Sequence, residues 1–403
     1  MMDNELIKKV ADELESYVIE TRRYLHTIPE ISGEEFKTRA FLIEKIKEAG
    51  LPYEEVEDST GLIAVLDTGR PGPHIALRSD IDALPMPEEP NNLAHPRTCI
   101  SGTPENRCHA CGHDGHMAML LGSMKALAEH KDQLNGIIYF CFEQGEEVGG
   151  GIQQMIRALS KYEIDTVWGI HVYAGLASGK VSVQPGPRMA GALGINFDFL
   201  GKGGHGSRPD QSINPVYCAS NWYNNIAVAF ANQIDANQTV TLGLTGIIGG
   251  EAGNVIPDKA TVIGSMRFFS VAEGEKALRI VKETAEHTAA MHHCTVDFSR
   301  MKAPGAPVIN DEKAALLAES KLPEVLPEGT ITRCDPWYAS ESFRMYLSKY
   351  PGVFCFVGIN NPEYGSGAAH HNSFFDIDES VLKLGMLSTL KYVAAVEENG
   401  GVR

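Results

Sequence analysis

The sequence predicts an α/β protein with a central mixed sheet flanked by helices, into which a smaller ferredoxin-like α+β domain is inserted. The first half of the chain alternates short apolar runs with amphipathic helical patterns, which is typical of helices packed on a sheet. Two segments rich in proline and glycine interrupt this alternation, and the elements between them follow the order β-α-β-β-α-β. We therefore expect a first domain over residues 1–187, an inserted domain over 188–303 and a return to the first domain over 304–403.

The period of the apolar residues assigns the elements of the first domain. Helical patterns occur in FKTRAFLIEKIKEAG and MAMLLGSMKALAEH, whereas the shorter runs GLIAVLD, HIALRSD, GIIYFCFE and TVWGIHV predict strands. Near the end of the chain, GVFCFVGI predicts another buried strand and DESVLKLGMLSTLKYVAAVEE a closing helix. The last segment of the chain is therefore expected to complete the first domain.

The inserted domain lies between the segments VQPGPRMAG and RMKAPGAPVIN. Its predicted strands are GALGINFDFLG, TVTLGLTGII, ATVIGSMRFF and CTVDFS, and its predicted helices are PVYCASNWYNNIAVAFANQ and GEKALRIVKETAEHTAAMHH. Each helix follows a strand and returns the chain to the same sheet, which is why this order predicts the ferredoxin-like arrangement.

Length, composition and charge limit the classes of function. The 403 residues exceed one ordinary core, and a hydrophobic content of 43% is enough to bury two. With 35 Lys+Arg against 52 Asp+Glu, the net charge of −17 would repel a nucleic-acid backbone or an anionic membrane surface. We therefore expect a small-molecule substrate, and neither nucleic acid nor membrane as a partner.

The cysteines and the apolar segments indicate a cytoplasmic protein. The 8 cysteines are scattered through a long chain without a secretory context, so thiols are expected rather than disulfides. The first residues form an amphipathic helical pattern that lacks the apolar core of a signal peptide. No stretch of the sequence is long and apolar enough to span a bilayer.

Metal-binding side chains follow several of the predicted strands. In open α/β sheets ligands bind beyond the carboxyl ends of the strands, so polar groups at these positions are functional candidates. The segment CHACGHDGH adds thiols and imidazoles just before a predicted helix, and both groups are common zinc ligands. The sequence thus predicts a metal site built from a subset of Asp80, Asp82, Cys111, His113, Glu143, Glu146, Glu147, His171, His370 and His371. The spacing excludes neither His109 nor His116 as a further ligand.

Each of these features also has a simpler interpretation. Cys108 and Cys111 form a C-x-x-C pair, which would suit a redox or structural zinc protein, although no second pair stands at ribbon spacing. Adjacent glutamates are also favoured at a helix start by the helix dipole, and a lone histidine on a strand is usually a core residue. A structural zinc site would have four protein ligands and no base beside it, so Glu146 favours an open, catalytic site.

Seven motifs together give the chain a resemblance to one superfamily. The sequence contains, in this order, RSDIDALP, HACGHDGH, GEEVGGG, GIHV, GKGGHGSRPDQSINPV, GGEAGNVIPDKATVIGSMR and HHNSFFDIDE. The chain resembles the metal-dependent amidohydrolases of the aminoacylase and carboxypeptidase G superfamily, and is most similar to the hippuricase and plant indole-acetic-acid amino-acid hydrolase branch. The resemblance covers about residues 20–395.

The resemblance implies a role for particular residues of this chain. Glu146 would be the catalytic base, and Asp80 would support the site. His371 is preferred to His370 as a ligand because it lies four residues before Phe375, as the family's spacing requires. The implied metal ligands are Cys111, His113, Glu147, His171 and His371, and the implied substrate-binding residues of the inserted domain are His205, Asn254 and Arg267.

The resemblance also implies cofactors, assembly and reaction. Two divalent ions per subunit are expected, manganese or zinc, with cobalt and nickel as further candidates, and the inserted domain is expected to act as a lid and to form a homodimer. The predicted reaction is hydrolysis of the amide bond of N-acyl amino acids, such as N-acetyl or N-benzoyl derivatives, by a metal-activated water with a glutamate base. The alternatives are a dipeptidase or carboxypeptidase and, outside the enzymes, a redox or structural zinc protein using Cys108 and Cys111.

The chain departs from its relatives at single positions and in the segment EEPNNLAHPRTCISGTPENRCHA, which is unusual beside the shorter pattern expected there. Arg78 stands where many members of the superfamily carry a metal-binding histidine, and this branch uses the Cys/His pair instead. Cys108 stands where relatives often have methionine, which adds a second thiol beside the expected metal site. Ser342, in the segment ASESF, stands where relatives often have aspartate.

Overall fold

The chain forms two structural units in the computed structural model, which describes residues 2–102 and 106–402. The larger unit contains Met1–Gly186, Ile309–Asp335 and Ser342–Arg403, and the smaller unit contains Pro187–Val308 and Pro336–Glu341. The smaller unit thus extends past the expected boundary at residue 303. It also includes the short segment Pro336–Glu341, which the sequence predicts to belong to the first domain.

Helices and strands alternate along most of the chain. The helices are α1 (Asn4–His26), α2 (Phe36–Glu48), α3 (His113–Glu129), α4 (Ile152–Leu159), α5 (Pro215–Gln233), α6 (Val271–Met291), α7 (Glu312–Lys321), α8 (Arg344–Leu347) and α9 (Leu382–Asn399). The strands are β1 (Tyr53–Glu55), β2 (Leu62–Asp67), β3 (His74–Asp80), β4 (Ile137–Glu143), β5 (Thr166–Ala177), β6 (Val181–Ser182), β7 (Gly186–Met189), β8 (Gly191–Leu200), β9 (Gly204–His205), β10 (Val240–Ile248), β11 (Val255–Ile256), β12 (Lys259–Phe268), β13 (Thr295–Asp297), β14 (Val308–Asn310) and β15 (Gly352–Asn360).

A seven-stranded mixed sheet forms the centre of the larger unit, with the order β1-β2-β4-β3-β5-β15-β6. Strands β4, β3, β5 and β15 are parallel neighbours, whereas β1, β2 and β6 run antiparallel to the strands beside them. Nearly every residue of the parallel strands is buried, as expected for a sheet covered on both faces. This arrangement confirms the predicted central mixed sheet.

Three helices of the larger unit, α1, α3 and α9, pack against one another. Helix α3 is buried along most of its length, because it is apolar on almost every side. The buried Arg22 of α1 donates to Asp114 of α3 at 2.8 Å, to Asp376 at 3.4 Å and to Glu379 at 3.2 Å. This guanidinium therefore ties the start of α3 to the segment that follows the last strand.

The smaller unit has the ferredoxin-like topology that the sequence predicts. Its elements follow the order β8-α5-β10-β12-α6-β13, and its four-stranded antiparallel sheet has the strand order β10-β12-β8-β13. The core between this sheet and its helices includes Phe197, Phe199 and Trp222, all fully buried. In neither unit does a described helix combine the length and the apolar character needed to cross a membrane.

Candidate metal centre and active site

The ends of two parallel strands bring carboxylates to one edge of the central sheet. Asp80 is the last residue of β3 and Glu143 the last residue of β4, and the two face each other in the strand register. Directly after β4, the short 3-10 helix Glu146–Val148 is flanked by Gly145 and Gly149, with φ of 63° and 64°. Glycine adopts this left-handed conformation without steric cost, which explains the glycines on both sides of the glutamate pair.

A second glycine turn places the thiol and imidazole ligands. Gly112 has a φ of 90°, and a Cβ atom at this position would lie 2.3 Å from Cγ2 of Val172. Only glycine therefore fits between Cys111, at the end of the loop, and His113, the first residue of α3. The glycine between the two candidate ligands is therefore explained by its position, since Gly112 is the left-handed residue directly before helix α3.

The five candidate ligands converge in the larger unit. Cys111 Sγ lies 3.6 Å from His171 Nε2, and Glu147 Oε1 lies 3.3 Å from His371 Nε2 and 3.8 Å from His113 Nε2. The ligand atoms of Cys111, His113 and His171 lie within 4.8 Å of one another, as do those of Cys111, Glu147 and His371. Overlapping groups that share Cys111 are the arrangement expected of a pair of neighbouring cations.

Two buried polar atoms at this position fit a cation. Within residues 2–102 and 106–402, neither His113 Nε2 nor Glu147 Oε1 has a hydrogen-bond partner, although both atoms are buried. Polar groups lie near both atoms, His371 Nε2 at 3.3 Å from Glu147 Oε1 and Asp80 Oδ2 at 3.6 Å from His113 Nε2, but none of them forms a hydrogen bond to these atoms. Thiolate, imidazole and carboxylate are all ligands of zinc and of similar transition metals. The donor set and its unpaired atoms therefore fit a divalent metal.

Asp82, which sequence analysis noticed but did not assign, orients two of the candidate ligands. Its carbonyl accepts a hydrogen bond from His113 Nδ1 at 2.8 Å, and its side chain accepts one from the Glu147 N–H at 3.1 Å. Bonding at Nδ1 leaves Nε2 of His113 directed toward Glu147. The D-x-D spacing after β3 was the available signal, because the second aspartate lies just past the strand end.

The comparison with known proteins identifies the family. Residues 76–394 match the profile of Peptidase family M20/M25/M40. The chain belongs to this family. It is 33% identical over 392 residues to thermostable carboxypeptidase 1 of Saccharolobus solfataricus, covering 95% of this chain and 96% of that protein. It is also 33% identical to the N-acetyl-L-cysteine deacetylase of Bacillus subtilis, covering 92% of this chain and 85% of the relative.

Solved structures support the same assignment. A Bacillus subtilis protein described as a dinuclear metal-binding peptidase from the M20 family superposes with a TM-score of 0.81 at 26% identity, covering 96% of this chain and 99% of that one. The chain is thus an M20 metallo-hydrolase, and the predicted metal-dependent hydrolysis of amides is confirmed at that level. The interpretation as a redox or structural zinc protein is wrong.

The geometry of the C-x-x-C pair agrees with this correction. Both cysteines are free thiols. Cys108 Sγ is directed toward the Pro87 carbonyl at 3.9 Å, whereas Cys111 Sγ faces His171. The two sulfurs of this M20 enzyme therefore have different surroundings, and only that of Cys111 lies among the candidate ligands.

Histidine His116, close to the ligands of this M20 site, has both ring nitrogens engaged. Its Nε2 accepts the Val172 N–H at 2.9 Å, so the hydrogen of the neutral ring is on Nδ1, which lies 2.7 Å from Asp80 Oδ1. Asp80 also accepts from Arg78 at 2.8 Å. Asp80 also lies near one of the five candidate ligands, with its Oδ2 3.6 Å from His113 Nε2.

The two adjacent histidines after β15 differ in environment. His370 Nε2 accepts the Ala174 N–H at 3.1 Å, and its Nδ1 lies 3.8 Å from Cys111 Sγ. His371 is half-exposed, has a φ of 61° and directs Nε2 toward Glu147. A histidine in the left-handed region is uncommon, and such backbone strain is found mostly at functional sites.

His171 lies inside strand β5, whereas the sequence predicts a position near the end of the strand. Strand β5 continues to Ala177, because β15 pairs with it there, whereas the pairing of β5 with β3 stops at Gly169. His171 thus lies two residues after the last residue of β5 that pairs with β3, where β5 still pairs with β15. Its Nδ1 donates to the Val172 carbonyl at 2.6 Å, which leaves Nε2 directed toward Cys111.

Burial and neighbouring charges shift the pKa values of several groups at this site. Burial and the charge of Glu147 raise the pKa of the Cys111 thiol well above its ordinary value. Burial alone would lower the pKa of His113, but Asp80 and the hydrogen bond to Asp82 raise it well above the ordinary value. Burial lowers the pKa of His370 to about 3, so this ring is neutral. A cation at this position would favour the thiolate of Cys111.

The glutamate proposed as the base is held by a backbone donor. Glu146 Oε1 accepts the N–H of Ser342 at 3.0 Å, and Glu146 precedes the candidate ligand Glu147 in the same short helix. Ser342 itself contacts Arg78 and Glu143 through its hydroxyl. These contacts could not be predicted from the sequence, because the partners of Ser342 lie far away along the chain.

Two of the three predicted substrate-binding residues come together in the smaller unit. His205 pairs with Val255 in the short ladder of β9 and β11, and the N–H beside it, that of Gly206, donates to the Asn254 carbonyl at 2.7 Å. The Ser207 N–H donates to His205 Nδ1 at 3.2 Å. A neutral His205 therefore carries its hydrogen on Nε2.

Arg267, the third of these residues, lies on β12. Its Nε donates to the Tyr338 carbonyl at 3.1 Å, and its Nη1 donates to Ser265 Oγ at 2.6 Å. The guanidinium is therefore anchored at two points within the smaller unit and half-exposed.

Proposed function

We propose that this M20 enzyme hydrolyses the amide bond of N-acyl amino acids with Glu146 as general base. The observation that carries the proposal is the pair of buried unpaired atoms, His113 Nε2 and Glu147 Oε1, directly beside Glu146. The residues that would hold two divalent ions are Cys111, His113, Glu147, His171 and His371. We propose manganese or zinc, with cobalt and nickel as further candidates, because thiolate and imidazole suit zinc and the carboxylate suits manganese.

The bound ions would lower the pKa of a water toward about 7 and polarise the substrate carbonyl. Glu146 is placed to take the proton of the attacking water and to pass it to the leaving nitrogen, acting first as base and then as acid. The Ser342 N–H fixes one oxygen of this carboxylate, which reduces the number of orientations it can adopt. Asp80 would support the site through its contacts with the candidate ligand His113 and with His116.

The resemblance assigns the substrate contacts to three residues of the smaller unit. His205, with its hydrogen on Nε2, is suited to donate a hydrogen bond to an oxyanion that forms during the reaction. Arg267 is suited to bind the carboxylate of an amino-acid product, and Asn254 to hydrogen-bond an amide or a carboxylate. An N-acyl amino acid has both an acyl carbonyl and a free carboxylate, so it would use all three residues.

Assembly and location are also proposals. Strand β10 is at the edge of its sheet, and α5 exposes Tyr217, Tyr223 and Val228 at 66%, 51% and 62%. An edge strand next to exposed apolar residues is suited to pairing across a two-fold axis, which supports a homodimer formed through the smaller unit. The free thiols of this chain suit the reducing conditions of the cytoplasm.

A second candidate function is cleavage of small peptides by dipeptidase or carboxypeptidase action, which the similarity to a thermostable carboxypeptidase favours. The charge of the substrate near the scissile bond distinguishes the two candidate functions. A dipeptide carries an α-ammonium group near the scissile bond, and two bound cations would repel it, whereas an N-acyl group is neutral.

A substrate panel tests the proposal. We expect kcat/KM for N-acetyl and N-benzoyl amino acids to exceed that for the matching dipeptides by about 10-fold or more, because each tenfold corresponds to only about 1.4 kcal/mol. The matched control is the same N-acyl amino acid with its carboxylate converted to an amide, which should react more slowly because Arg267 loses its partner. Faster cleavage of the dipeptides would favour the second candidate function.

A further inference from the structure

A buried arginine at the edge of the central sheet contacts two carboxylates and a hydroxyl. Arg78 donates from Nε to Glu143 at 2.9 Å, from Nη1 to Asp80 at 2.8 Å and from Nη2 to the hydroxyl of Ser342 at 2.8 Å. All four residues are buried, and the exposed fraction of none exceeds 4%. Charges at this depth are poorly screened, so the number of negative groups around Arg78 is tightly constrained.

The direction of each hydrogen bond at Ser342 is fixed by its partners. A guanidinium can only donate, so the Ser342 oxygen accepts from Arg78 and its hydrogen is donated to Glu143 Oε1 at 2.5 Å. The backbone N–H of the same serine donates to Glu146 Oε1. The side chain of Ser342 is thus held by the Arg78–Glu143 pair, while its backbone holds the proposed base.

Positions 143 and 342 together hold one carboxylate, which belongs to Glu143, the last residue of β4. An aspartate at 342 would bring a second anion against Glu143, because the Ser342 hydroxyl already lies within hydrogen-bond distance of that carboxylate. Two carboxylates so close cannot both remain ionised without a large cost. The local charge is therefore consistent with one anion shared between positions 143 and 342.

We propose that Glu143, Arg78 and Ser342 are positioning residues for Glu146, and that positions 143 and 342 together accommodate one anion, which Glu143 supplies. The proposal rests on the proposed role of Glu146 as base. It assigns no chemical step to the three residues, since they act on the base only through the Ser342 backbone. It predicts that the anion can be moved from one position to the other with the site preserved.

The test is a charge exchange in the full-length enzyme. E143Q, S342D and the double variant E143Q/S342D are compared with the parent by thermal unfolding. S342D should lower Tm by about 5 °C or more, because it places a second anion next to the buried carboxylate of Glu143. E143Q alone should lower Tm by a smaller amount. In the S342D background, however, E143Q should raise Tm, since the double variant again has only one anion at positions 143 and 342.

The matched control removes a different buried carboxylate. Glu30 accepts hydrogen bonds from the backbone of Thr38 and Lys37 and does not contact Ser342, so E30Q should not raise Tm when combined with S342D. A decrease in Tm on adding E143Q to S342D, equal to its effect in the parent, would overturn the proposal. If S342D does not fold, folding of the double variant supports the proposal and failure of both contradicts it.

A kinetic readout separates positioning from stability alone. With metal content unchanged, kcat of S342D should fall about 10-fold or more while KM changes little, and the double variant should recover most of that loss. Recovery of Tm without recovery of kcat would show that the three residues stabilise the fold but do not position the base. Because the Tm comparison needs no substrate, it remains decisive even if the substrate panel rejects N-acyl amino acids.

Discussion

Glu146→Gln should lower turnover by a factor of about 100 or more while the metal stays bound, because glutamine has the shape of glutamate but cannot accept the proton of the attacking water. The Ser342 N–H can still donate to the amide oxygen of the glutamine, so the position of the side chain should be preserved. Steady-state kinetics together with metal analysis of the same preparation measures both quantities.

The adjacent residue is the matched control for this variant. Glu147→Gln should lose metal as well as activity, because Glu147 Oε1 is one of the two unpaired buried atoms among the candidate ligands. If Glu146→Gln also lost its metal, Glu146 would be a ligand and not the base. If it kept both metal and full turnover, neither role would hold.

Cys111→Ser should have a comparably large effect, lowering activity about 100-fold or more through loss of metal. A serine hydroxyl is not deprotonated near neutral pH and is a much poorer ligand than a thiolate, which is the form that binds metal. Metal content and activity of the purified variant, measured with and without added manganese or zinc, test this expectation.

The other cysteine of the C-x-x-C pair provides the comparison. Cys108→Ser should keep activity within about threefold of the parent, because Cys108 Sγ lies against the Pro87 carbonyl and not among the candidate ligands. Equal losses in the two variants would contradict the assignment of Cys111 alone to the metal site. Restoration of Cys111→Ser to full activity without bound metal would contradict it as well.

Much of the fold could be predicted from the sequence because the local patterns are strong. The apolar runs of the parallel strands and the β-α-β-β-α-β order both reflect burial on the scale of a single element. The return of the Pro336–Glu341 segment to the smaller unit could not be predicted, because it depends on contacts such as the Trp337 N–H donating to the Arg188 carbonyl. Such contacts join residues distant in sequence and leave no periodic pattern.

The candidate ligands could be predicted from the sequence because cysteine, histidine and glutamate bind metals, and here they follow predicted strands or lie just before a predicted helix. The residues that orient these ligands could not be predicted. Asp82 and Ser342 act through single hydrogen bonds to the Glu147 and Glu146 segments, and their residue types are common in loops without such a role. Their roles depend on tertiary contacts, whereas the resemblance to known amidohydrolases indicates only which positions of the sequence belong to the site.

Metal dependence is the central claim, and removal followed by replacement of the metal tests it most directly. Dialysis of the enzyme against a chelator, verified by elemental analysis, should abolish amide hydrolysis. Titration with manganese, zinc or cobalt should then restore it, with activity levelling off at about two ions per chain if Cys111 is shared between two neighbouring groups of ligands. Full activity in a sample verified to be free of metal would contradict the account.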